Sequence, residues 1–317
     1  MSGIKIVMGG LGMGEGVSLG TIPEVKEVLP VLKEFNVDTL DSAQLYGDAE
    51  KNLGEVGAGK EFTIDTKWLG GFKPGFITKD NIITTGKESL ERLKIPQVDI
   101  FYIHAPDSTV PLEDTLAGVN EVYKLGLFKR FGLSNYKAED VEKAYNIAKE
   151  KGYPLPQVYQ GNYSPVARLQ EEQLFPTLRK LNIAFYAYSP LAGGFLTKTA
   201  EDIEKGTGRF DQSKPIGKMY YDMYAKPAYI SALKQWASIA EEAGATKAEL
   251  AYRWVTYNSP LKRENGDAII LGARNVEQAR QTLEGLKKGP LSEDVLKKID
   301  GVWETIKHEA PLDNYHK

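Results

Sequence analysis

The sequence contains no cysteine among its 317 residues. This absence excludes disulfide bonds, thiolate metal sites and a cysteine nucleophile, and it fits a reducing compartment. Histidine is also scarce, and the three residues, His104, His308 and His316, do not cluster along the chain. Because sites for transition metals usually draw on several cysteine or histidine ligands, no metal ion is expected.

The chain also lacks long apolar runs and an excess of charge of one sign. No stretch of about 18 apolar residues is present, so no membrane-spanning helix is predicted. Secretory leaders begin with a basic segment followed by an apolar one, and residues 1–5 do not start such a pattern. The 43 acidic and 40 basic residues give a net charge of −3, which offers no reason to expect nucleic acid or an anionic membrane as a partner. We therefore predict a cytoplasmic protein.

Strand-like and helix-like patterns alternate along the whole chain, which is typical of βα units around a parallel sheet. Residues 193–228 form the one long connection without a clean period, and such loops are often functional. The sequence predicts one α/β domain over residues 1–317, a (β/α)8 TIM barrel with an extra C-terminal helix. Strands are predicted near 4–10, 37–43, 62–68, 98–104, 128–135, 157–163, 184–190 and 267–272. Helices are predicted near 22–35, 48–57, 79–94, 112–125, 138–151, 171–182, 229–257, 275–285 and 292–307.

Three consecutive predicted strands end on chemically active side chains. Asp41 ends the second strand, with Tyr46 five residues on, Lys67 ends the third, and His104 ends the fourth. Polar groups at the C-terminal ends of successive parallel strands are how a (β/α)8 barrel builds an active site. Each residue alone has an ordinary structural explanation, such as a helix cap or a salt bridge. Their equivalent positions on neighbouring strands favour a common site.

The four side chains together suit proton transfer to a carbonyl. A tyrosine holds its proton at neutral pH, because its unperturbed pKa is about 10. An ammonium nearby favours the phenolate and lowers that pKa, and Lys67 is positioned to do this for Tyr46. Asp41 would keep Lys67 charged and oriented, and His104 would hydrogen-bond a substrate oxygen. The carbonyl oxygen becomes negative during hydride addition, and the hydride itself must come from a cofactor.

This set of residues resembles the catalytic tetrad of the aldo-keto reductases, and the resemblance runs over nearly the whole chain. Within that family the sequence is most similar to the aflatoxin-aldehyde reductase group. The matching stretches are residues 99–107, 132–136, 158–163, 186–194 and 208–210. The resemblance implies an NADP-dependent oxidoreductase that reduces aldehydes or ketones to alcohols, with Asp41, Tyr46, Lys67 and His104 catalytic and Tyr46 as the proton donor.

The resemblance also implies a site for NADPH bound in extended form. Ser134, Asn135 and Gln160 are expected to hydrogen-bond the carboxamide, and Tyr188 to stack on the nicotinamide. The pyrophosphate would lie along residues 189–197, where backbone amides are well suited to phosphate. The start of the last barrel helix, with its amides and an arginine, would take the adenosine 2′-phosphate. The cofactor residues of these last regions are Ser189, Pro190, Leu191, Gly193, Arg209, Gly272, Arg274, Gln278 and Gln281.

Substrate contacts are expected from apolar loop residues, because carbonyl pockets have apolar walls and few polar groups. The candidates are Met13, Trp68, Phe210 and Tyr220. The subgroup resemblance implies small aldehydes, dialdehydes, semialdehydes or dicarbonyls as substrates, and a possible homodimer. The tail, residues 312–317, is expected to be frayed rather than folded near the pocket.

Two other functions stay open. Lys67 could form a Schiff base, as in a barrel aldolase or lyase, and borohydride trapping of substrate on Lys67 without nicotinamide would favour this. A non-catalytic subunit that senses NADPH would keep the same fold and oxidise bound NADPH only very slowly. A Rossmann fingerprint is not supported, because after Gly12 and Gly14 the third glycine would fall at Val17.

Overall fold

The computed structural model describes residues 3–14 and 18–316 and contains a closed barrel of eight parallel strands. Each strand pairs with the next along the chain, and β1 pairs with β8 to close the barrel. This confirms the predicted (β/α)8 fold and all eight predicted strands. Met1, Ser2 and Val17, which entered the sequence arguments above, lie outside the described residues. The strands are β1 (Lys5–Gly9), β2 (Thr39–Asp41), β3 (Thr63–Trp68), β4 (Val98–Ile103), β5 (Phe128–Ser134), β6 (Pro156–Asn162), β7 (Ala184–Tyr188) and β8 (Ala268–Leu271).

The helices pack around the barrel and begin and end at recognisable signals. Asp140 lies in the first turn of α5 and Lys149 in its last, which suits the helix dipole, and Gly152 ends the helix at φ 66°. The helices are α1 (Ile22–Glu34), α2 (Ala49–Glu55), α3 (Lys79–Leu93), α4 (Leu112–Lys124), α5 (Ala138–Lys151), α6 (Gln170–Gln173), α7 (Phe175–Lys180), α8 (Ala200–Glu204), α9 (Pro215–Tyr224), α10 (Pro227–Glu242), α11 (Lys247–Arg253), α12 (Val276–Lys287) and α13 (Glu293–Ile306).

Two predicted helices are wrong in extent. The segment predicted as one helix over 229–257 is α10 and α11, because the chain turns at Gly244, where φ is 59°, and Thr246 then caps α11. The segment predicted over 171–182 is broken into α6 and α7 at Leu174, and Pro176 stands in the first turn of α7. The long connection after β7 is also more ordered than its irregular sequence suggested, since it contains α8 and α9.

Side chains alternate between the interior of the barrel and the layer under the helices, and this alternation positions the site. In β3, Lys67 points inward, whereas Thr66 and Trp68 point outward to α2 and α3. Inside the barrel a small apolar cluster that includes Val7, Ile100 and Tyr102 fills the lower layers. The much larger core lies between strands and helices.

The described residues also bear on two predicted absences. Over residues 3–14 and 18–316, no helix has both the length and the apolar character needed to cross a bilayer. Within these ranges, no group of three or more histidine, cysteine, aspartate and glutamate side chains is arranged to hold a metal ion.

Candidate active site

A buried ion pair joins the ends of β2 and β3. Lys67 Nζ donates hydrogen bonds to Asp41 Oδ2 at 2.6 Å and to the carbonyl oxygen of Ser42 at 2.7 Å, and both charged side chains are almost fully buried. Gln160 Nε2 donates to the other carboxylate oxygen at 2.9 Å. Burial is the largest single influence on the pKa of Lys67 and would lower it, but the charge and hydrogen bond of Asp41, with Tyr46 nearby, together outweigh it and the net shift is upward. The ammonium is therefore charged and held in one position.

Tyr46 lies directly against this ammonium. Lys67 Nζ is 4.9 Å from the centre of the Tyr46 ring, and that ring meets the ring of His104 edge-on at 5.7 Å between centres. Burial raises the pKa of Tyr46, and the charge of Lys67 opposes that rise. The lysine therefore acts with the predicted sign, but burial is the larger effect, so the phenol keeps its proton at neutral pH.

His104 stands at the end of β4 with its ring facing Tyr46. Its main chain is fixed on both sides, since its N–H donates to the Trp68 carbonyl at 3.1 Å and its carbonyl accepts from Asn135 Nδ2 at 2.9 Å. Burial, followed by the charge of Lys67, lowers the pKa of His104 well below its usual value. The imidazole is therefore neutral near neutral pH. Its Nδ1 atom has no hydrogen-bond partner among the described residues.

The residues expected around the carboxamide come together beside this group. Ser134, Asn135 and Gln160 are all buried at the ends of β5 and β6. Tyr188 at the end of β7 donates its hydroxyl hydrogen to Asn135 Oδ1 at 2.7 Å, which links the ends of β5 and β7 across β6. The predicted tetrad and the predicted carboxamide contacts therefore share one face of the barrel.

The segment after β7 has an unusual backbone. Ser189, Ala192 and Gly193 have positive φ values of 55°, 51° and 68°. Turns of this kind can point successive N–H groups to one side and form a concave site for an anion. Gly193 is required for a second reason, because a Cβ atom there would lie 2.2 Å from the ring of Tyr220. The Tyr220 hydroxyl is 3.3 Å from Ser189 Oγ, so α9 packs on this segment, which also includes Pro190 and Leu191.

Two arginines converge near the start of α12. Arg274 precedes this helix, and its Nη2 atom is 3.8 Å from where a Cβ atom of Gly208 would stand, so the turn at residues 208–210 lies beside it. Arg209 in that turn is close enough for its charge to act on the Tyr252 hydroxyl. That hydroxyl donates to the Gly272 carbonyl at 3.2 Å. Both arginines are exposed, and neither forms an ion pair with a described residue.

Gln278 and Gln281 lie on α12 and bond to their own helix. Gln278 accepts from the Arg274 N–H at 2.8 Å, and Gln281 donates to Glu277 at 2.8 Å. Both side chains are held by neighbours one turn away or less. Gln278 is thereby part of the helix start, whereas Gln281 lies further along the exposed face of the helix.

Comparison with known proteins decides the family. The family model described as "Aldo/keto reductase family" matches residues 5–304. The chain belongs to the aldo/keto reductase family. It is 41% identical to oxidoreductase sirO of Leptosphaeria maculans, over 92% of this chain and 89% of that protein. It is 34% identical to human aflatoxin B1 aldehyde reductase member 4, over 96% of this chain and 95% of that protein. The resemblance predicted from the motifs is thus confirmed, and the chain is an oxidoreductase.

Three residues predicted to line the pocket of this aldo/keto reductase do not do so. Trp68 points outward from the barrel, stacks on Phe101 with ring centres 3.6 Å apart, and donates its indole N–H to the Ile82 carbonyl in α3. The prediction for it is wrong because Lys67 takes the inward position and alternation sends the next residue outward. Met13 and Phe210 are completely buried in the large core outside the barrel.

The C-terminal tail was expected to be frayed and is instead anchored at the site. Buried Asp313 accepts hydrogen bonds from the backbone N–H groups of Tyr315 and His316 at 2.9 and 2.7 Å. Asn314 lies 2.9 Å from the Tyr188 hydroxyl. The partner atom is Asn314 Oδ1, so the single hydroxyl hydrogen of Tyr188 lies within reach of the side-chain oxygens of both Asn135 and Asn314.

Sequence reasoning missed Phe72 and the tail residues. They lie next to His104 and Tyr188 and form the mouth of the site. The Phe72 ring meets His104 edge-on at 5.0 Å and Tyr315 edge-on at 5.3 Å. Tyr315 donates its hydroxyl hydrogen to the Pro106 carbonyl at 2.8 Å. A phenylalanine after two glycines directly beyond a catalytic strand end was the available signal. The tail offered no local signal for its contacts with the site, because Tyr188 and Pro106 are more than 120 residues away in sequence.

Proposed function

We propose that this aldo/keto reductase catalyses NADPH-dependent reduction of aldehydes or ketones to alcohols, with Tyr46 as the proton donor. The observation that carries the proposal is the buried contact of Asp41 with Lys67, with Tyr46 against the ammonium and His104 facing the phenol ring. That arrangement places one dissociable proton, that of the Tyr46 hydroxyl, beside the C-terminal ends of the strands. It suits an oxygen atom that gains negative charge during the reaction.

Each side chain then has a distinct task. The cofactor, when bound, supplies the hydride. Tyr46 gives its proton to the substrate oxygen, and Lys67 compensates the phenolate that is left. The raised pKa of Tyr46 means that this proton is present throughout the neutral range. Neutral His104 can hydrogen-bond the substrate oxygen and fix its approach, since its ring lies against that of Tyr46.

The described residues fit a phosphorylated nicotinamide cofactor. The positive-φ backbone at Ser189, Ala192 and Gly193 supports phosphate binding through N–H groups. Arg209 and Arg274 lie on adjacent segments near the start of α12, and neither is paired with a carboxylate of the described residues, so both can meet an anion. The N-terminus of α12 adds its helix dipole at that position. These features support NADPH over NADH, because only NADPH carries the additional phosphate.

The substrate mouth favours small carbonyl compounds with an apolar or unsaturated part. Phe72 and Tyr315 present aromatic edges beside His104 at the place where a substrate would enter. Four relatives are named aflatoxin B1 aldehyde reductases, and they are 34–35% identical to this chain. We propose small aldehydes, dialdehydes or semialdehydes as the substrate class.

A Schiff-base mechanism at Lys67 is disfavoured by the same geometry. A nucleophilic amine must be neutral and accessible, whereas Lys67 is fully buried, bonded to a carboxylate and raised in pKa. The test is a panel of small aldehydes assayed by loss of NADPH absorbance, with borohydride trapping as the parallel arm. Turnover of at least one aldehyde without trapped adduct is expected. Bound NADPH that is oxidised only in a slow single turnover would instead support a cofactor-sensing subunit.

Arg274→Ala tests the cofactor assignment. We expect the Kd for NADPH to rise about tenfold or more, since a charge-assisted hydrogen bond to phosphate contributes about 1.5–3 kcal/mol, while the Kd for NADH changes little. Both constants are measured by quenching of tryptophan fluorescence. Arg280→Ala is the matched control, because this arginine lies on α12 but pairs with Glu34. Equal weakening of both cofactors by Arg274→Ala would remove the phosphate assignment.

A further inference from the structure

A further carboxylic acid, besides Asp41, lies inside the barrel, one layer below the catalytic ion pair. Asp65 precedes Lys67 by two residues in β3 and therefore points to the same interior face. It is completely buried, and in the register of the sheet it stands beside Asp41. Its Oδ1 atom accepts the Ile100 N–H at 3.1 Å, whereas its Oδ2 atom has no partner among the described residues. The reaction described above makes no use of it.

The cations near Asp65 are already paired with other acids. Lys67 is bonded to Asp41, and Arg130 makes a two-pronged contact with Asp99 at 3.1 and 2.7 Å. An ionised Asp65 would therefore add a third negative charge next to two existing carboxylates in a buried space. Isolated buried charges are strongly unfavourable, and a carboxyl in this position keeps its proton instead.

The remaining neighbours of Asp65 do not offer a charge to compensate it. Tyr102 in β4 and Tyr186 in β7 both face the barrel interior, and the Tyr186 hydroxyl is 3.4 Å from Arg130. The Tyr102 hydroxyl has no partner among the described residues, and its ring fills the space left by Gly132, where a Cβ atom would lie 2.3 Å from it. Burial, followed by the charges of Asp41 and Asp99, raises the pKa of Asp65 well above its usual range.

We propose that Asp65 is protonated in the resting enzyme and acts through Lys67 as a positioning residue. Because Asp65 is neutral, Asp41 is the single negative charge below Tyr46. Lys67 Nζ is 2.6 Å from Asp41 Oδ2 and 4.9 Å from the centre of the Tyr46 ring, so it contacts both the neighbouring carboxylate and the phenol. A second carboxylate there would oppose formation of the phenolate and raise the pH at which Tyr46 accepts the proton of an alcohol. This inference rests on the proposed function.

The protonation of Asp65 is tested without any assay of activity. A carboxyl whose pKa is higher in the folded state than in the unfolded state costs stability as pH rises above the unfolded value. Asp65→Asn keeps the acceptor oxygen for Ile100 and cannot ionise. We expect the urea midpoint of the wild type to fall relative to Asp65→Asn between pH 4 and pH 7. Asp222→Asn, at an exposed position, serves as the control and should show no such trend. Parallel pH dependence of the wild type and Asp65→Asn would mean that Asp65 is ionised in the fold and would overturn the proposal.

The effect of Asp65 on Tyr46 is tested by removing the carboxylate that pairs with Arg130. Asp99→Asn releases Arg130, which can then stabilise an ionised Asp65. We expect the pH midpoint of alcohol oxidation with NADP⁺ to rise by about one unit in Asp99→Asn, the size expected for one nearby like charge. The double variant Asp65→Asn/Asp99→Asn should keep the wild-type midpoint. An equal shift in both backgrounds would exclude Asp65 as the mediator.

If the wild type oxidises no alcohol and reduces no aldehyde, the proposed function fails, and the role of Asp65 through Lys67 fails with it. The stability measurement still decides the protonation of Asp65 in that case.

Discussion

Tyr46→Phe is expected to lower turnover of the best aldehyde at least about 100-fold, the usual minimum effect of a general acid. The substitution removes only the hydroxyl, and the phenyl ring can keep its edge-on contact with His104. Because Lys67 also donates hydrogen bonds to Asp41 and to the Ser42 carbonyl, its pairing with Asp41 should survive. The Kd for NADPH should therefore stay within about twofold of the wild type. A loss of turnover with retained cofactor binding is the signature of a missing proton donor.

The measurement needs the chemical step itself, because product release limits turnover in many enzymes and would mask part of the loss. Single-turnover oxidation of bound NADPH by excess aldehyde isolates that step. Tyr315→Phe is the matched control, since it removes a hydroxyl at the same mouth whose partner is a backbone carbonyl. We expect this control to retain most of the activity. A normal single-turnover rate in Tyr46→Phe would assign the proton to another group.

The barrel and the core of the site were predictable because both follow from local periodicity. The positions of Asp41, Lys67 and His104 at equivalent strand ends could be seen from three short apolar runs. Trp68 was misplaced because its neighbour determines its direction: once Lys67 points inward to Asp41, the next side chain must point outward. Strand alternation applied one residue further along would have corrected the error.

The residues that sequence reasoning missed depend on contacts between distant segments. Asn314 reaches Tyr188 across 126 residues, and Tyr315 reaches Pro106 across 209. No period or motif in a polar tail encodes such a contact. Asp65 was missed for a different reason, because a single acid in an apolar strand has no chemistry until its neighbours are known. Only the barrel register places it beside Asp41.

Lys67→Met is expected to destabilise the protein by about 3–5 kcal/mol and to abolish measurable reduction. The substitution removes one member of a fully buried pair and leaves Asp41 charged with only the Gln160 amide as a side-chain donor. Breaking a buried pair from one side has this cost because the remaining charge is left without compensation. Activity should fail for a separate reason, since no cation is left beside the Tyr46 ring to stabilise its phenolate.

The double variant Asp41→Asn/Lys67→Met separates these two effects. Removing both charges eliminates the uncompensated carboxylate, and replacing a whole buried pair is often neutral for stability. The asparagine oxygen can still accept the Gln160 amide hydrogen. We therefore expect urea denaturation to show most of the stability restored in the double variant while reduction stays absent. Recovery of both properties together would mean that the ion pair only supports the fold, whereas an unaltered urea midpoint in Lys67→Met would show that the pair is not buried in solution.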